Sequence, residues 1–269
     1  MEVRAKKALG QHFLTDQGIA GNIVDALSAD HPVRDVLEVG PGMGVLTQYL
    51  LRRPDMDLKA IEIDTESVEW LSSHLDGIHG HLLEGDFLRL DLSRVFPGPF
   101  RVIGNFPYNI SSQIFFKILD YKDNIPEVVG MVQKEVAERI AEPPGSKTYG
   151  ILSVLLQAWY DIEYLFTVGS GAFAPPPKVQ SAVIRLRRNG RTSLGCDASL
   201  FKAVVKTSFG QRRKTLRNSL KPLIRARAEA AGWDEAALSA FTADPVFDLR
   251  PERLSVEDFI ALTRSLSGL

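Results

Sequence analysis

Asn105-Phe106-Pro107-Tyr108 is the segment of this chain whose residue types point most directly to chemistry. It follows the apolar run 101–104, which predicts a buried strand. An amide oxygen and a backbone carbonyl can accept both N–H hydrogens of an exocyclic amine, and the tyrosine ring can stack on the base. Proline restricts its own φ and the residue before it, so the carbonyls are held in one direction. The segment predicts methylation of an amine such as N6 of adenine; the alternative is a strand that ends in a Pro-Tyr turn.

A glycine-rich loop connects the first predicted strand to the next predicted helix. It carries Glu38 and glycines at 40, 42 and 44, which allow a tight turn and a close backbone approach to a ligand. Position 45 is valine, so the third glycine of the dinucleotide fingerprint is missing. The loop therefore favours a nucleoside without a pyrophosphate, S-adenosylmethionine first, and leaves NAD as the minority alternative.

Two carboxylates follow at the ends of the next two predicted strands. Glu62 lies 22 residues after Gly40, where a carboxylate can accept hydrogen bonds from both ribose hydroxyls. Asp86 can accept the adenine amino group, with apolar neighbours on both faces of the ring. Four successive strands thus bring Gly40, Glu62, Asp86 and Asn105 to one carboxyl edge, which is where open α/β sheets bind ligands.

The order of elements predicts an α/β fold. Strand-like runs alternate with helix-length segments, and this alternation predicts a mostly parallel sheet that is covered on both faces. The last two strands lack a long helix between them, so we expect them to pair antiparallel at an edge. Asp16 and Thr65 are the predicted N-caps. The predicted strands are 35–40, 58–64, 81–86, 101–105, 128–133, 164–168 and 182–186, and the predicted helices are 16–29, 44–53, 65–75, 111–120, 134–141 and 148–160.

The pattern changes after Arg188. Residues 189–197 have the composition of a linker. Only helical segments follow, near 198–208, 211–220, 222–231, 234–241 and 255–266. From Arg188 onward there are 14 Lys/Arg against 9 Asp/Glu, and the preceding part has 18 against 24. Residues 202–227 contain nine basic and no acidic residues, which predicts binding to a polyanion; the alternative is a solvated helix face.

Several other classes of protein are disfavoured. A single cysteine, Cys196, precludes an internal disulfide and fits a reducing compartment. The five histidines show no metal-ligand spacing with that cysteine, so no metal is expected. There is no nucleophile elbow and no Walker loop. No run of 18 apolar residues occurs, and the basic N-terminus has no apolar stretch after it, so we expect neither a membrane span nor a signal peptide.

The chain closely resembles the KsgA-type small-subunit ribosomal RNA adenine N6,N6-dimethyltransferases, over nearly its whole length. The resemblance rests on 7–14, 38–44, 104–111, 133–136, 173–179 with Ser181, and 209–218. It implies a Rossmann-like methyltransferase domain at 1–188 with a mostly parallel seven-stranded sheet and an N-terminal arm at 1–15, then a linker at 189–197 and an all-helical rRNA-binding domain at 198–269. His12 stands where many relatives carry Asn, and Phe106 where Leu is commoner.

The resemblance also implies a set of site residues. S-adenosylmethionine is expected against His12, Leu14, Gly40, Gly42, Glu62, Ile63, Asp86, Phe87 and Asn105. The catalytic group is expected to be Asn105, assisted by the backbone of Phe106 and Pro107, with the flipped adenine between Tyr108 and Phe173. For Phe173 the alternative is a core aromatic residue that anchors a proline-rich loop. The expected rRNA contacts are Lys206, Arg212, Arg213, Lys214 and Arg217.

The activity implied is dimethylation of two adjacent adenines near the 3′ end of small-subunit rRNA within a pre-ribosomal particle, by a cytoplasmic monomer without metal or membrane. Three alternatives remain. One is a large-subunit rRNA adenine methyltransferase of the resistance type, which shares the pocket but not 209–218. The second is an assembly factor whose binding matters more than its catalysis. The third and weakest is a DNA adenine methyltransferase.

Overall fold

The computed structural model describes Val3, residues 5–29 and residues 31–268, with Lys7 described by its backbone alone. Five residues lie outside this description: Met1, Glu2, Arg4, Asp30 and Leu269. The expectations for the arm at 1–15 and for the end of the helical domain therefore concern only the remaining residues of those segments.

The described residues form nine strands and twelve α-helices. The strands are β1 (Phe13–Leu14), β2 (Asp35–Val39), β3 (Asp57–Glu62), β4 (Leu82–Glu84), β5 (Arg101–Asn105), β6 (Glu127–Gln133), β7 (Tyr160–Val168), β8 (Phe173–Ala174) and β9 (Ser181–Arg188). The helices are α1 (Gln17–Asp25), α2 (Thr47–Leu50), α3 (Thr65–His74), α4 (Leu92–Val95), α5 (Ser111–Asp120), α6 (Lys134–Ala141), α7 (Ile151–Gln157), α8 (Ala198–Gly210), α9 (Leu216–Ser219), α10 (Lys221–Ala230), α11 (Glu235–Thr242) and α12 (Val256–Ser267). None of the helices in the described residues is long and apolar enough to cross a bilayer.

Seven strands form one sheet in the order β4-β3-β2-β5-β6-β9-β7. The five strands from β2 to β6 are parallel, whereas β9 runs antiparallel to both of its neighbours. The predicted fold class and the predicted antiparallel pair at the edge are both confirmed. The strand order reverses between β2 and β5, and such a switch point is where doubly wound sheets bind ligands.

Burial explains why β5 and β6 occupy the middle of the sheet. Four of the five residues of β5 and six of the seven residues of β6 are buried, which is typical of strands covered on both faces. Helix α5, which follows β5 in the chain, buries Ile114, Phe115 and Ile118, which are spaced for one helical face. The strand that ends in Asn105 is therefore fixed from both sides.

Two local expectations have different outcomes. Asp16 caps α1, because its carboxylate accepts the Ile19 N–H at 3.0 Å, and this prediction is confirmed. The prediction for Thr65 is wrong. Asp64 is the N-cap of α3, and the Thr65 hydroxyl donates instead to the Glu84 carboxylate at 2.8 Å. The neighbouring strand offers Thr65 a charged acceptor, which the local sequence does not reveal.

The contacts divide the chain into two units. The first contains residues up to Glu138 together with Tyr160–Arg188, and the second contains Arg139–Trp159 together with residues from Asn189 onward. The predicted helix at 148–160 is shorter, since it ends before Tyr160 begins β7. Segment 139–159 thus packs with the C-terminal helices, although sequence order placed it before the linker. The predicted division into functional domains stays a prediction.

Within the second unit, the segment predicted to be a linker is irregular but fixed. The Arg264 guanidinium of α12 donates to the carbonyls of Leu194 and Gly195, at 3.1 and 3.0 Å. Arg191 pairs with Glu257 at 2.6 Å. The predicted helix at 211–220 is also interrupted. A turn follows α8, and the extended Thr215 then begins the short α9.

A buried ion pair ties together the starts of β5 and β6, at the end of the sheet away from Asn105. Arg101 and Glu127 are 0% and 1% exposed, and Nη1 of Arg101 lies 3.5 Å from the carboxylate. Ser28 donates its N–H and its hydroxyl to Glu127, while its carbonyl accepts from Arg101 at 2.9 Å. The three residues join the end of α1 to the two central strands.

We expect Glu127→Ala to lower the free energy of unfolding by about 3–5 kcal/mol, because it leaves the Arg101 guanidinium buried without a counterion. Denaturant unfolding followed by circular dichroism measures this. Asp57→Ala is the matched control, since its pair with Arg34 is more than half exposed and contributes about 1 kcal/mol or less. Equal losses in the two variants would contradict the structural role given to the buried pair.

A second buried carboxylate lies on β2. Glu38 is 1% exposed, and its Oε2 has no hydrogen-bond partner among the described residues. Burial, and to a smaller extent the nearby Glu62 carboxylate, raises the pKa of Glu38 to about 8. The folded protein therefore holds a proton on Glu38 at pH values where the unfolded chain has released it.

This difference gives stability a predicted pH dependence. Between the ordinary pKa of 4.5 and the folded pKa of about 8, the folded state binds more protons, so its stability falls as the pH rises, by about 1.4 kcal/mol per pH unit from this group. Glu38→Gln removes the titration. The free energy of unfolding of the variant, minus that of the wild type, should therefore increase as the pH rises from 5 to 8. Urea titrations at pH 5, 6.5 and 8 that show a constant difference would refute the assignment.

Candidate active site

One pocket of about 250 Å³ lies at the carboxyl edge of β2, β3, β4 and β5. The parallel register carries the glycine loop, Glu62, Asp86 and Asn105 to the same edge, as the sequence predicts. Twelve of the predicted site residues line this pocket: His12, Leu14, Gly40, Gly42, Glu62, Ile63, Asp86, Phe87, Asn105, Phe106, Pro107 and Tyr108.

Glu62 fixes the glycine loop. Its carboxylate accepts the N–H groups of Gly42 at 3.0 Å, Ile63 at 2.9 Å and Asp64 at 3.0 Å. Gly42 has φ +56°, which favours glycine, and a Cβ there would lie 3.1 Å from the Phe13 ring. Burial raises the pKa of Glu62, while the three N–H donors oppose that shift. The carboxylate is thus held at the pocket wall with fixed orientation.

A second wall is built by Asp86 and Phe87. Oδ1 of Asp86 accepts the Leu88 N–H at 2.8 Å, which sets the turn after β4. The Lys117 ammonium lies 5.3 Å from the Phe87 ring centroid and donates to the Leu90 carbonyl. Phe87 is buried, whereas Ile63, the residue directly after β3, is 52% exposed. Ile63 and Phe87 therefore offer apolar surface to a flat ring beside a carboxylate acceptor.

The amide of Asn105 has one side already bonded. Nδ2 donates to the His12 carbonyl at 3.0 Å, so Oδ1 is the amide atom available to accept from a ligand. The Phe106 N–H donates to the Met131 carbonyl at 3.0 Å, and the Pro107 carbonyl accepts the Ile110 N–H at 3.2 Å. The turn therefore uses one acceptor position of Pro107.

Tyr108 is oriented by two neighbours. Its hydroxyl hydrogen-bonds the hydroxyl of the buried Ser181. Its ring centroid lies 5.3 Å from the His12 ring, at an angle of 30°. Nδ1 of His12 lies 2.9 Å from the Pro175 carbonyl; since a carbonyl only accepts, Nδ1 carries the hydrogen. The histidine therefore keeps the hydrogen-bonding capacity expected at this position and adds a ring beside Tyr108.

Sequence reasoning missed the residues that hold the N-terminal segment over the pocket. The Lys6 ammonium pairs with the buried Asp64 at 2.5 Å, and Gln11 donates to the same carboxylate at 3.4 Å. Asn109 donates to the Ala8 carbonyl at 3.3 Å. The sequence does contain a signal for this contact, because Asp64 lies two residues after Glu62. An acidic side chain so close to a ligand-binding strand end favours a basic partner.

Phe173 does not line the pocket. It is 4% exposed and packs in the hydrophobic core with Val168 and Leu14. In the antiparallel pair of β1 and β8, Phe173 lies directly opposite Leu14. This position matches the alternative in which Phe173 anchors the loop that follows. Its stacking role therefore needs movement of that loop and stays a prediction.

The pocket suits a nucleoside cofactor in its hydrogen-bonding groups. Two buried acidic side chains, Glu38 and Glu62, lie at the glycine loop, and Oε2 of Glu38 has no hydrogen-bond partner among the described residues. A carboxyl group at the position of Glu62 can accept hydrogen bonds from ribose hydroxyls, whereas Glu38, whose pKa burial raises to about 8, holds its proton at neutral pH and adds no negative charge. Among the described residues, no group of three or more His, Cys, Asp or Glu side chains could hold a metal ion.

The basic residues predicted to bind rRNA belong to the second unit. Lys206, Arg213 and Lys214 are exposed. Arg212 is half-buried and donates to the Ser146 carbonyl at 3.2 Å. Arg217 pairs with Asp248 at 2.7 Å and also donates to the Thr242 carbonyl. Arg217 thus holds the helical unit together, and its expected RNA contact stays a prediction.

Comparisons with solved structures agree with this architecture. A dimethyladenosine transferase from Plasmodium falciparum superposes with a TM-score of 0.78 at 24% identity, over 96% of this chain and 98% of that one, and supports the fold. The 23S rRNA methyltransferase ErmE superposes with a TM-score of 0.60 at 26% identity, over 95% and 99% of the two chains.

Sequence comparisons identify closer relatives. A protein from Parabacteroides distasonis named ribosomal RNA small subunit methyltransferase A is 60% identical, over 97% of this chain and 93% of its own length. One of the same name from Cytophaga hutchinsonii is 55% identical over 99% of both chains. A sequence model of the family described as ribosomal RNA adenine dimethylase matches residues 2–238. With this match and the pocket that its residues build, the chain belongs to the ribosomal RNA adenine dimethylase family.

Proposed function

We propose that this chain transfers methyl groups from S-adenosylmethionine to N6 of two adjacent adenines near the 3′ end of small-subunit rRNA. The observation that carries the proposal is the position of Asn105, at the end of β5 in the same pocket as Glu62 and Asp86. A nucleoside-binding edge and an acceptor for an amine therefore share one wall. The 60% identity to a small-subunit methyltransferase supports the small-subunit substrate over the large-subunit alternative.

The chemistry is mostly positioning. S-Adenosylmethionine supplies an electrophilic methyl group on a sulfonium. In the first transfer, Oδ1 of Asn105 accepts one hydrogen of the adenine amine, and a backbone carbonyl at Phe106 or Pro107 accepts the other, which directs the nitrogen lone pair toward the methyl group. As the nitrogen–carbon bond forms, the carbon–sulfur bond breaks and S-adenosylhomocysteine leaves. In the second transfer one N–H remains, and one of these acceptors orients it. The methylated nitrogen then loses its proton readily, so no general base with a shifted pKa is required.

Tyr108 provides a stacking surface for the flipped adenine. Unstacking a base costs a few kcal/mol, and a ring that is already fixed by Ser181 and His12 recovers part of this cost without ordering a side chain. Phe173 is proposed as the second face only if the loop after it moves, because its ring is buried.

The helical unit supplies the affinity for RNA. Lys206, Arg213 and Lys214 are exposed cations, and neutralisation of phosphates by such residues releases counterions and makes binding salt-dependent. The proposed partner is small-subunit rRNA within a pre-ribosomal particle, bound by a monomer in the cytoplasm. Binding to an immature subunit gives the protein a part in subunit assembly that can persist without catalysis.

Asn105→Ala should lower methyl transfer by at least about 100-fold, because it removes the acceptor that orients the amine. Incubation of unmethylated small subunits with labelled S-adenosylmethionine, followed by mapping of the modified base, measures this. The variant should stay folded and should still bind the subunits, since within the described residues the substitution removes one side-chain hydrogen bond, from Asn105 to the His12 carbonyl.

Asn22→Ala is the matched control for this experiment, because it removes an exposed amide on α1 far along the chain from the tetrapeptide. It should leave turnover unchanged. Near-normal turnover of Asn105→Ala would contradict the role given to the amide.

Charge reversal at Arg212, Arg213 and Lys214 should weaken rRNA binding by about tenfold or more at moderate salt, and should reduce the slope of log affinity against log salt concentration. Affinity for the cofactor should be unchanged. Filter binding with small-subunit rRNA at several salt concentrations and calorimetry with the cofactor measure the two quantities.

The control reverses three cations of the first unit, Arg34, Arg52 and Arg94, which are exposed. It changes the net charge by the same amount, so a smaller loss of binding assigns the effect to position. Unchanged rRNA binding in the variant of Arg212, Arg213 and Lys214 would rule out a role of these residues in binding rRNA.

A further inference from the structure

Two glycines face each other at the centre of the sheet, directly below the tetrapeptide. Gly104 on β5 and Gly130 on β6 are register partners. A glycine inside a strand weakens it, and its presence there marks a close approach by another group. Two such residues side by side leave a flat area without side chains on one face of the central strands.

The side chain of Phe106 covers this flat area. A Cβ on Gly130 would lie 2.6 Å from Cε2 of the Phe106 ring, and a Cβ on Gly104 would lie 2.8 Å from Cε1. The two ring edges thus occupy the space that a side chain on either glycine would need, because each added Cβ would lie closer to the ring than the distance of about 3.5–4.0 Å at which carbon atoms pack. No larger residue fits at 130 unless the ring moves.

A second aromatic ring also contacts Phe106. Phe115 of α5 meets it edge to face, with the centroids 5.7 Å apart and the planes at 77°. The ring is fully buried, and the Phe106 N–H is bonded to the Met131 carbonyl. The residue that follows Asn105 is therefore fixed through its ring and its backbone together.

We propose that the Phe106 side chain, seated on Gly104 and Gly130, is a positioning element that sets the height of the Asn105 amide and the Phe106 carbonyl above the sheet. The inference rests on the proposed methyl transfer and extends it to side chains that touch neither cofactor nor adenine. A displacement of about 1 Å at a reacting group can reduce the rate about 100-fold. A small shift of the Phe106 ring against the two glycines should therefore have a large effect on the rate of methyl transfer.

The experiment is a double-mutant cycle between Gly130→Ala and Phe106→Leu. Gly130→Ala alone should lower kcat on unmethylated small subunits by about 10–100-fold, with cofactor affinity and KM for the subunits within about threefold of the wild type. In the Phe106→Leu background, where the narrower side chain can yield to the added methyl group, Gly130→Ala should change kcat by less than about threefold.

Gly104→Ala is the matched control. Its Cβ would lie 2.8 Å from the Phe106 ring but also 2.6 Å from the Val39 carbonyl, which belongs to the backbone of β2. Phe106→Leu relieves the first contact and not the second. Gly104→Ala should therefore be harmful in both backgrounds, which separates relief at the ring from a general tolerance of alanine in these strands.

The outcomes are distinct. Gly130→Ala with wild-type kcat, or a loss of the same size in both backgrounds, overturns the inference. A loss in KM or cofactor affinity with kcat unchanged also overturns it, because that pattern indicates a deformed binding surface. If Gly130→Ala alone does not fold, equal kcat of Phe106→Leu and the double variant supports the inference, and a further tenfold loss in the double variant overturns it. A wild-type chain that methylates no adenine overturns the proposed function as well.

Discussion

The parallel pairing of β2 with β5 is the constraint on which the candidate site depends. It brings the glycine loop after Val39 beside Asn105, so the loop proposed to hold the cofactor and the amide proposed to hold the amine share one edge. The strands approach so closely that a Cβ at Gly104 would lie 2.6 Å from the Val39 carbonyl. At the other end of β5, the buried pair of Arg101 and Glu127 fixes where the strand begins.

The two units differ in the charged and polar groups that they offer to their proposed ligands. Glu38, Glu62 and Asp86 line the pocket of the first unit. Glu62 and Asp86 are proposed to accept hydrogen bonds from the hydroxyl and amino groups of S-adenosylmethionine, while burial keeps Glu38 protonated at neutral pH. The second unit carries exposed cations such as Arg213 and Lys214, which are proposed to bind the phosphates of RNA. A net charge of −1 for the whole chain conceals both features.

Much of the site could be predicted from the sequence, because the carboxyl ends of parallel strands lie at the same edge of the sheet. Once Glu62, Asp86 and Asn105 are assigned to strand ends, their convergence follows. The side-chain states of Phe173 and Arg217 could not be predicted in this way. Phe173 is buried by core residues distant in sequence, and Arg217 finds its carboxylate 31 residues away. Contacts between residues far apart in the sequence determine the positions of both side chains, and no local sequence pattern predicts these contacts.

The phenylalanine at 106 shows why a single position is a poor unit of comparison. If only the backbone carbonyl at 106 matters, phenylalanine and leucine are equivalent there. The structure adds that a planar ring needs a flat support, which Gly104 and Gly130 provide at a cost in strand stability. A ring without both glycines would be displaced, and both glycines under a smaller side chain would leave a void beside the residue that follows Asn105. The side chain at 106 therefore forms one packing unit with the glycines at 104 and 130.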